Sequence, residues 1–443
     1  MTPAVVTLVL FVLLFVLVQR DLVNRGLAMM GGALLFLLIG SSEGFYSLKL
    51  AFSAIYFDAL ALLFGMSLIS NCLFRSGVFH YLACRFLGYS RGNPLLIVVL
   101  LTLSTYLLSL AFTNLSVMII MVPLTLIVCR ALSMDPAPIV AAELITSNLG
   151  GASTLVGDFP NMIIGAAARL HFDDFIGGMM VPCLVLLAAV LIVFQRHAHI
   201  AQARIALDDL TTIQSTVRAQ SPVGPTHPDG LDRYLLRLGL SVFVVTLFSF
   251  FLAQLLGVRP ALLSFVAGLT IIVLGRIPPQ ELFAAVSGGD LLFFLGLFIM
   301  VGGLQAAGVL GGVHAMIVAL GNGNATLSLL VLMWVAALLT PLLNAGPSTA
   351  FLVPVAQAMN VTFPGSAVWW SLSLGVLAGS SAALSGATAG PVAASFMANH
   401  LRSLPREEQV TGSRFDFRSY LQWGVPVAAI FLGISSLYIL VIT

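Results

Sequence analysis

The residues whose types and spacing could do chemistry lie in a polar stretch of an otherwise apolar region, between Glu143 and Gly165. That stretch contains Gly150, Gly151, Ser153, Thr154, Asp158 and Asn161. Hydroxyl, amide and carboxylate oxygens can hold a cation such as Na⁺, and a buried carboxylate can instead carry a proton. Glycines loosen a helix and Pro160 interrupts it, and a helix interrupted at membrane depth must line a cavity or pack inside protein. The stretch therefore predicts a site for a small solute or ion; the alternative is a polar loop at the membrane surface.

Two carboxylates of this stretch have competing interpretations. Asp158 could bind a cation or carry a proton, or it could cap the helix that restarts near Pro160, because Asp accepts backbone N–H bonds at helix N-termini. Glu143 precedes the Gly-Gly pair and is a second candidate proton carrier. Its structural alternative is a hydrogen bond within the scaffold.

A second polar cluster lies in the other half of the chain and contains no carboxylate. We expect it to pair with the first cluster and with the Thr113-Asn114 pair. Its candidate binding residues are Asn344, Ser348, Thr349, Ser380, Ser381, Ser385 and Thr388. Small polar residues also allow helices to pack closely, which is the alternative for each of them taken alone. The missing acid predicts that ion coupling is concentrated at Asp158.

Composition places these clusters in a membrane. The chain has 443 residues, of which 59% are hydrophobic and 8% charged, and its mean hydropathy is +1.07. Soluble domains carry about a quarter charged residues, so an integral membrane protein is predicted. The sequence has no phosphate-binding loop and no nucleophile–base or metal constellation, which argues against an ATP-driven pump or an enzyme. The four cysteines have no paired spacing and predict neither disulfides nor a metal cluster.

The elements that must position the clusters form two similar sets. We predict an all-α polytopic membrane protein with about eleven transmembrane helices, two re-entrant helical hairpins and two broken helices. The first set, 1–196, contains a hairpin at 94–132 and a broken helix at 137–170. A polar segment, 197–232, is rich in charged residues and proline and predicts a cytoplasmic linker. The second set, 233–443, contains a hairpin at 325–359 and a broken helix at 366–400.

The two sets repeat weakly in sequence. At an offset of 231 positions Pro123 falls on Pro354 and Thr113 falls on Asn344. Weak identity in a constant order is typical of an old duplication. The number of predicted crossings in each set makes the two halves inverted relative to each other.

Basic residues predict the orientation of the chain. If the amino terminus is periplasmic, all of the 19 basic residues except Lys49, Arg169 and Arg259 face the cytoplasm. Basic residues concentrate on the cytoplasmic side of membrane proteins, so this orientation is favoured. We therefore expect a multi-pass protein of a bacterial inner membrane.

The motif Gly150-Gly151-Ala-Ser-Thr154-Leu-Val-Gly-Asp158-Phe-Pro-Asn161 resembles the signature of the ion transporter superfamily. Its arsenite exporter, sodium/proton antiporter and P-protein branch is the most similar, and the Thr113-Asn114 tip is similar to those of the divalent anion:sodium symporters. The resemblance implies an elevator-type fold of inverted repeats, usually a homodimer. It also implies a two-part site formed by the residues named above.

Two departures from the superfamily pattern bear on the activity. The branch commonly has Asp-Asn where this chain has Thr113-Asn114, and the second polar cluster reads Ser385-Gly-Ala-Thr388 without an acid. Antiport through paired acids and arsenite as substrate are both put in doubt.

The function we expect is secondary active transport of a small anionic or polar solute, coupled to H⁺ or Na⁺, with alternating access by elevator movement. The alternatives are a cation/proton antiporter or an arsenite-type metalloid exporter, and, in another class, a non-transporting membrane sensor or assembly component. We expect no cofactor beyond Na⁺ or H⁺ as coupling ion and no metal beyond Na⁺. The expected partners are the solute, the lipid bilayer and a second copy of the chain, but no nucleic acid.

Overall fold

The computed structural model describes residues 2–19, 23–79, 81–82, 85, 93–131, 134–198, 231–403 and 415–443. Throughout these ranges the chain forms helices and connecting loops without a β-strand. The predicted all-helical class is confirmed. The greater part of the predicted linker 197–232, residues 199–230, lies outside the described residues.

The first half of the chain contains nine described helices. They are α1 (Pro3–Gln19), α2 (Arg25–Ser42), α3 (Leu48–Ser53), α4 (Phe57–Arg75), α5 (Pro94–Ser109), α6 (Asn114–Ala131), α7 (Pro136–Ala152), α8 (Phe159–Ala168) and α9 (Phe172–Ala198).

The second half contains ten described helices. They are α10 (Arg233–Leu256), α11 (Pro260–Leu274), α12 (Pro279–Ala285), α13 (Gly288–Ala306), α14 (Val309–Leu320), α15 (Ala325–Leu343), α16 (Ala345–Thr362), α17 (Ala367–Ala382), α18 (Gly390–Ser403) and α19 (Phe417–Ile442). The short helices α3 and α12 hold equivalent places in the two halves, and neither is predicted from the sequence.

Several helices are apolar enough to cross a membrane. Seven described helices have the length and hydropathy of a membrane span, among them α4, α9, α13 and α19. Other apolar helices, such as α5 and α17, are shorter than a full membrane span. The prediction of about eleven transmembrane helices remains a prediction, because hydropathy alone does not decide where the shorter helices sit.

Local sequence sets most helix starts near the polar clusters. Asn93 accepts backbone N–H bonds from Leu95 and Leu96, and Asp135 accepts one from Ala137, in each case just before a proline at the first helical position. These are the preferred residues for an N-cap and for the first turn. The polar residues lie at the C-terminal ends of α5 and α7.

Packing between helices is repeated in the two halves. α5 packs on α7 and α15 packs on α17, while α7 packs on α9 and α17 on α19. Away from these groups, α2 packs on α13 and α4 packs on α11. The halves are joined by the contacts of α6 with α18 and of α16 with α8. Each half therefore contributes a hairpin and a broken helix that pack against those of the other half.

Candidate functional site

Eight helix ends bound the candidate site. We call residues 153–158, between α7 and α8, the first break, and residues 383–389, between α17 and α18, the second break. The hairpins turn at residues 110–113, the first tip, and at Asn344, the second tip. The N-termini of α6, α8, α16 and α18 follow these tips and breaks directly. Helix N-termini offer free N–H groups and positive potential.

Each break is tied to its own tip by the same hydrogen bond. Thr154 donates from Oγ1 to the Leu110 carbonyl oxygen over 2.6 Å, and Ser385 donates from Oγ to the Pro341 carbonyl oxygen over 2.7 Å. Both bonds span 44 positions of sequence. Thr154 also accepts a bond from the Gly157 N–H over 3.1 Å. These two hydroxyls hold the tips against the breaks, so they are positioning groups whose bonding capacity is largely used.

Glycine is required where a broken helix crosses its hairpin. A Cβ on Gly150 would lie 2.4 Å from the Tyr106 carbonyl oxygen, and one on Gly379 would lie 2.5 Å from the Ala337 carbonyl oxygen. Contacts that short do not occur between real atoms, so a side chain would push each hairpin away. Both glycines thus permit the helix contacts that bring tip and break together.

Asp158 caps α8, as the structural alternative predicted. Its Oδ1 accepts the N–H of Phe159 over 2.9 Å, and the residue is buried. A Cβ on Gly151 would lie 2.9 Å from the Asp158 Cβ and 2.6 Å from the Asn114 Oδ1. The Asp158 and Asn114 side chains therefore meet over the bare backbone of Gly151. The Asn114 side chain also lies within hydrogen-bonding reach of the carboxylate, so the two groups form a buried polar pair that can take up an ion or a proton.

Two asparagines connect the halves of the chain. Asn114 donates from Nδ2 to the Asn148 Oδ1 over 3.2 Å, and Asn148 donates from Nδ2 to the Ser380 carbonyl oxygen over 3.2 Å. The Asn114 Oδ1 is buried and accepts no hydrogen bond from any described residue. A buried amide oxygen without a partner is costly, and its natural complement is a bound cation or donor. Asn148 was not among the predicted site residues, although it stands two positions before the Gly-Gly pair.

Two predicted ligands of the first half are used internally. Asn161 donates from Nδ2 to the carbonyl oxygens of Ala152 and Thr154, each over 2.8 Å, and its Oδ1 accepts a bond from the Ser373 hydroxyl over 2.9 Å. It closes the end of α7 and ties α8 to α17. Ser153 donates to the Leu149 carbonyl oxygen over 2.9 Å and shares a bond with the Tyr106 hydroxyl. The geometry makes both of them positioning residues.

The second tip is held by the second break. Asn344 has φ 78° and ψ 160°, a strained backbone conformation that glycine usually occupies. It donates from Nδ2 to the Ser385 carbonyl oxygen over 3.0 Å and accepts from the Thr388 hydroxyl over 3.4 Å. The Ala345 N–H donates to the Gly386 carbonyl oxygen over 3.0 Å. This tip is therefore built from mutual bonds rather than from open ligands.

One hydroxyl of the second half stays open. Ser348 and Thr349 both donate to the Ala345 carbonyl oxygen, and Ser380 donates to the Leu377 carbonyl oxygen. The Ser381 Oγ is buried without a partner among the described residues, while the Ser381 carbonyl accepts a bond from the Tyr420 hydroxyl over 3.1 Å. Ser381 is the predicted ligand of this half whose side chain is free to bind.

Glu143 lies away from this centre. It precedes the end of α7 by nine residues, which is about 13 Å along a helix. Its Oε1 accepts the Thr125 hydroxyl over 2.6 Å, and its Oε2 has no partner in the described part of the chain. No group of three or more His, Cys, Asp or Glu side chains that could hold a metal occurs in the described ranges.

Known proteins are similar to this chain in sequence and in fold. Over 440 residues the chain is 41% identical to the magnetosome protein MamN of Magnetospirillum gryphiswaldense, with 99% of each chain covered. It is 25% identical to the P protein of Mus musculus over 503 residues, which cover 96% of this chain and 59% of the P protein. The crystal structure of the YdaH transporter of Alcanivorax borkumensis is similar, with a TM-score of 0.61 at 14% identity, covering 94% of this chain and 98% of that one. The last similarity shows the fold alone.

The family of the chain follows from a match over most of its length. Residues 8–375 match the citrate transporter family, CitMHS. The resemblance to the ion transporter superfamily is thereby confirmed, including its link to the P protein. The chain belongs to the citrate transporter family and is a membrane transporter rather than an enzyme.

Proposed function

We propose that the protein is a secondary active transporter that moves a small carboxylate anion together with Na⁺ or H⁺. The observation that carries the proposal is the buried Asn114 Oδ1, which has no partner among the described residues and faces Asp158 across Gly151. An amide oxygen and a carboxylate that converge in a buried place suit a cation that has lost its water. The carboxylate class of the solute rests on the family, whose description is citrate transporter.

The first half supplies the side of the site that takes the coupling ion. The Asn114 Oδ1 and the Asp158 carboxylate are hard ligands for Na⁺, or Asp158 alone takes up a proton. Bringing a cation here offsets the cost of burying a carboxylate away from water. The ion and the carboxylate are therefore expected to stabilise each other, which is the basis for coupling.

The second half supplies the side that takes the anion. The N-termini of α16 and α18 follow the second tip and the second break, and neither helix has an acidic residue in its first turn. Their positive potential and the open hydroxyl of Ser381 suit a carboxylate group. A cation bound by the first half would neutralise the anion bound by the second half.

An elevator movement is supported by the contact between the site helices and the rest of the chain. Phe159 of α8 packs edge-on against Phe294 of α13, with ring centroids 5.1 Å apart. Among the described residues, a polar contact that crosses this boundary is the bond from the Tyr56 hydroxyl to the Gln357 side-chain oxygen over 3.4 Å. Apolar surfaces slide with little loss because few directional bonds are broken.

We further propose a periplasmic amino terminus and a homodimer in a bacterial inner membrane. The ion pairs agree with the predicted sides. Arg25 contacts Asp290 over 2.6 Å and Arg75 contacts Glu281 over 3.0 Å on the predicted cytoplasmic side. Arg259 contacts Asp58 over 3.3 Å on the predicted periplasmic side. Residues assigned to one side thus meet residues assigned to the same side.

A ligand screen tests the proposal. Purified protein would be heated with citrate, smaller carboxylates, oxyanions or cations, in the presence or absence of Na⁺. A ligand at about a hundred times its dissociation constant adds about 2.7 kcal/mol of stability. We expect a carboxylate to raise the unfolding temperature, and to do so more strongly with the coupling ion. Stabilisation by cations alone would favour the second candidate, a cation/proton antiporter, which the lone carboxylate Asp158 also allows.

A further inference from the structure

A separate cavity opens beside the outer end of α8. It has a volume of about 560 Å³ and lies between α4, the end of α8 and the loop that joins α10 to α11. This volume falls within the roughly 300–1,000 Å³ that small-molecule sites occupy. Its rim contains Arg169 and Arg259, two of the three basic residues that the sequence assigns to the periplasmic side.

Of the two arginines at this rim, Arg259 has an acidic partner and Arg169 has none among the described residues. Arg259 is paired with Asp58 over 3.3 Å, and His171 faces Asp174 over 3.7 Å. Arg169 makes no ion pair with any described residue and its side chain is exposed. An unpaired guanidinium over a cavity attracts anions and can bind a carboxylate with two parallel hydrogen bonds.

The cavity ends at the back of the first break. Leu155, which is 1% exposed, lines it together with Gly165. A Cβ on Gly165 would lie within 2.3 Å of the Leu155 Cδ1, so this side chain is pressed against α8. Leu155 follows Thr154, which holds the first tip, and precedes Asp158 by three positions. One buried apolar side chain of the first break, Leu155, therefore belongs to the wall of the cavity.

We infer that this cavity is an outer vestibule in which Arg169 captures the small carboxylate anion before it reaches the central site, and that Leu155 separates the two. The inference rests on the proposed function. Arg169 selects for charge and raises the local concentration of the anion, whereas the central site binds the anion together with its coupling ion.

The first test measures citrate uptake into proteoliposomes by Arg169→Gln and Arg169→Lys, with Lys49→Gln as a control outside the cavity. We expect Arg169→Gln to raise KM about fivefold or more at low salt with little change in the maximal rate. Added salt should shrink the difference, because screening weakens steering. Arg169→Lys should restore most of the wild-type KM. If Arg169→Gln leaves KM unchanged, the inference about the vestibule is overturned. Citrate transport by the wild type would in that case still support the proposed function.

The second test needs no transport. Ala166→Cys places a thiol in the cavity, and its reaction rates with an anionic and a cationic methanethiosulfonate reagent are compared, before and after adding Arg169→Gln. The native Cys72, Cys129 and Cys183 are buried, and Cys84 lies outside the described residues, so the protein without Ala166→Cys measures the background of all four native cysteines. We expect Arg169→Gln to lower the anionic-to-cationic rate ratio several-fold, and citrate to protect the thiol. If Arg169→Gln leaves this rate ratio unchanged, the inference about the vestibule is overturned. Absence of transport by the wild type is a different result, and it would count against the proposed function.

Discussion

Asn148 donates its amide hydrogen to the backbone carbonyl of Ser380 over 3.2 Å, and by this bond the broken helix of one half holds the broken helix of the other. The same side chain accepts a bond from Asn114 at the first tip. Three of the segments that bound the candidate site are thus connected through one amide. In the proposed function, the solute and the coupling ion bind beside this connection, and the bond would transmit a change at the ion from one half to the other.

Asn148→Ala should weaken the connection between the halves. The substitution leaves the Asn114 amide and the Ser380 carbonyl without partners, and we expect it to cost about 1–2 kcal/mol of stability. The thermal unfolding of purified protein in detergent measures this loss. Gln305→Ala, at an exposed polar position, should change stability little. Equal stability of both variants would show that the bond does not hold the halves together.

Removing the hydroxyl of Thr154 or of Ser385, which hold the two tips, should lower the stability of the protein by different amounts. Thr154→Val removes a donor to Leu110 and an acceptor for Gly157, whereas Ser385→Ala removes only the recorded bond to Pro341. We therefore expect Thr154→Val to destabilise the protein more, by about 1 kcal/mol for the additional bond. Thr154→Ser keeps the hydroxyl and should lie near the wild type. A larger loss for Ser385→Ala would contradict this assignment.

Gly151→Ala should damage the ion site itself. The new Cβ would fall 2.6 Å from the Asn114 Oδ1 and 2.9 Å from the Asp158 Cβ, so both groups must move apart. We expect ligand-induced stabilisation to disappear. Gly177→Ala on α9 is the matched control, because its Cβ would meet nothing within 4 Å. It should retain binding and gain about 0.5–1 kcal/mol from helix propensity. Normal binding by Gly151→Ala would argue against a site at Asn114 and Asp158.

Glu143 should behave as a scaffold group. Glu143→Gln keeps an acceptor for the Thr125 hydroxyl, so we expect transport within about twofold of the wild type, well under 1 kcal/mol of barrier. Thr125→Val removes the only bond recorded for the carboxyl group and should cost about 1–3 kcal/mol of stability. Measurements of uptake driven by a proton gradient distinguish a scaffold role of Glu143 from a proton-carrying role. If Glu143→Gln folds normally but loses proton-driven uptake, Glu143 carries the proton instead.

Much of the candidate site follows from residues with strong local preferences. Pro160, the Gly150-Gly151 pair and Asp158 indicate a broken helix because each limits or frees the backbone in a known way, and the structure has α7 end at Ala152 and α8 begin at Phe159. Tips at Thr113-Asn114 and Asn344 could be located because polar residues interrupt an apolar run at each place. The short helices α3 and α12 could not, because six or seven residues carry too little periodicity to be recognised.

The roles of individual polar groups could not be predicted. Asn161 and Asn148 both lie in the polar stretch 143–165. The Asn161 amide donates to carbonyl oxygens at the end of α7, whereas the Asn148 amide donates to the Ser380 carbonyl oxygen. Thr154 and Ser381 are both hydroxyl residues within three positions of a glycine, but of the two only the Ser381 hydroxyl has no partner among the described residues. These differences depend on which carbonyl oxygen lies nearby in the folded chain, and sequence spacing does not contain that information.

Ion-driven uptake is the most direct measurement of the central claim. Proteoliposomes with purified protein would receive labelled citrate on one side under an imposed Na⁺ or H⁺ gradient, with Asp158→Asn and the exposed control Glu43→Gln measured alongside. We predict that one of the two gradients drives accumulation in the wild type and in Glu43→Gln, and that Asp158→Asn abolishes the dependence on that gradient. Carboxylate uptake that neither gradient drives, or that Asp158→Asn leaves unchanged, would contradict ion-coupled transport at this site.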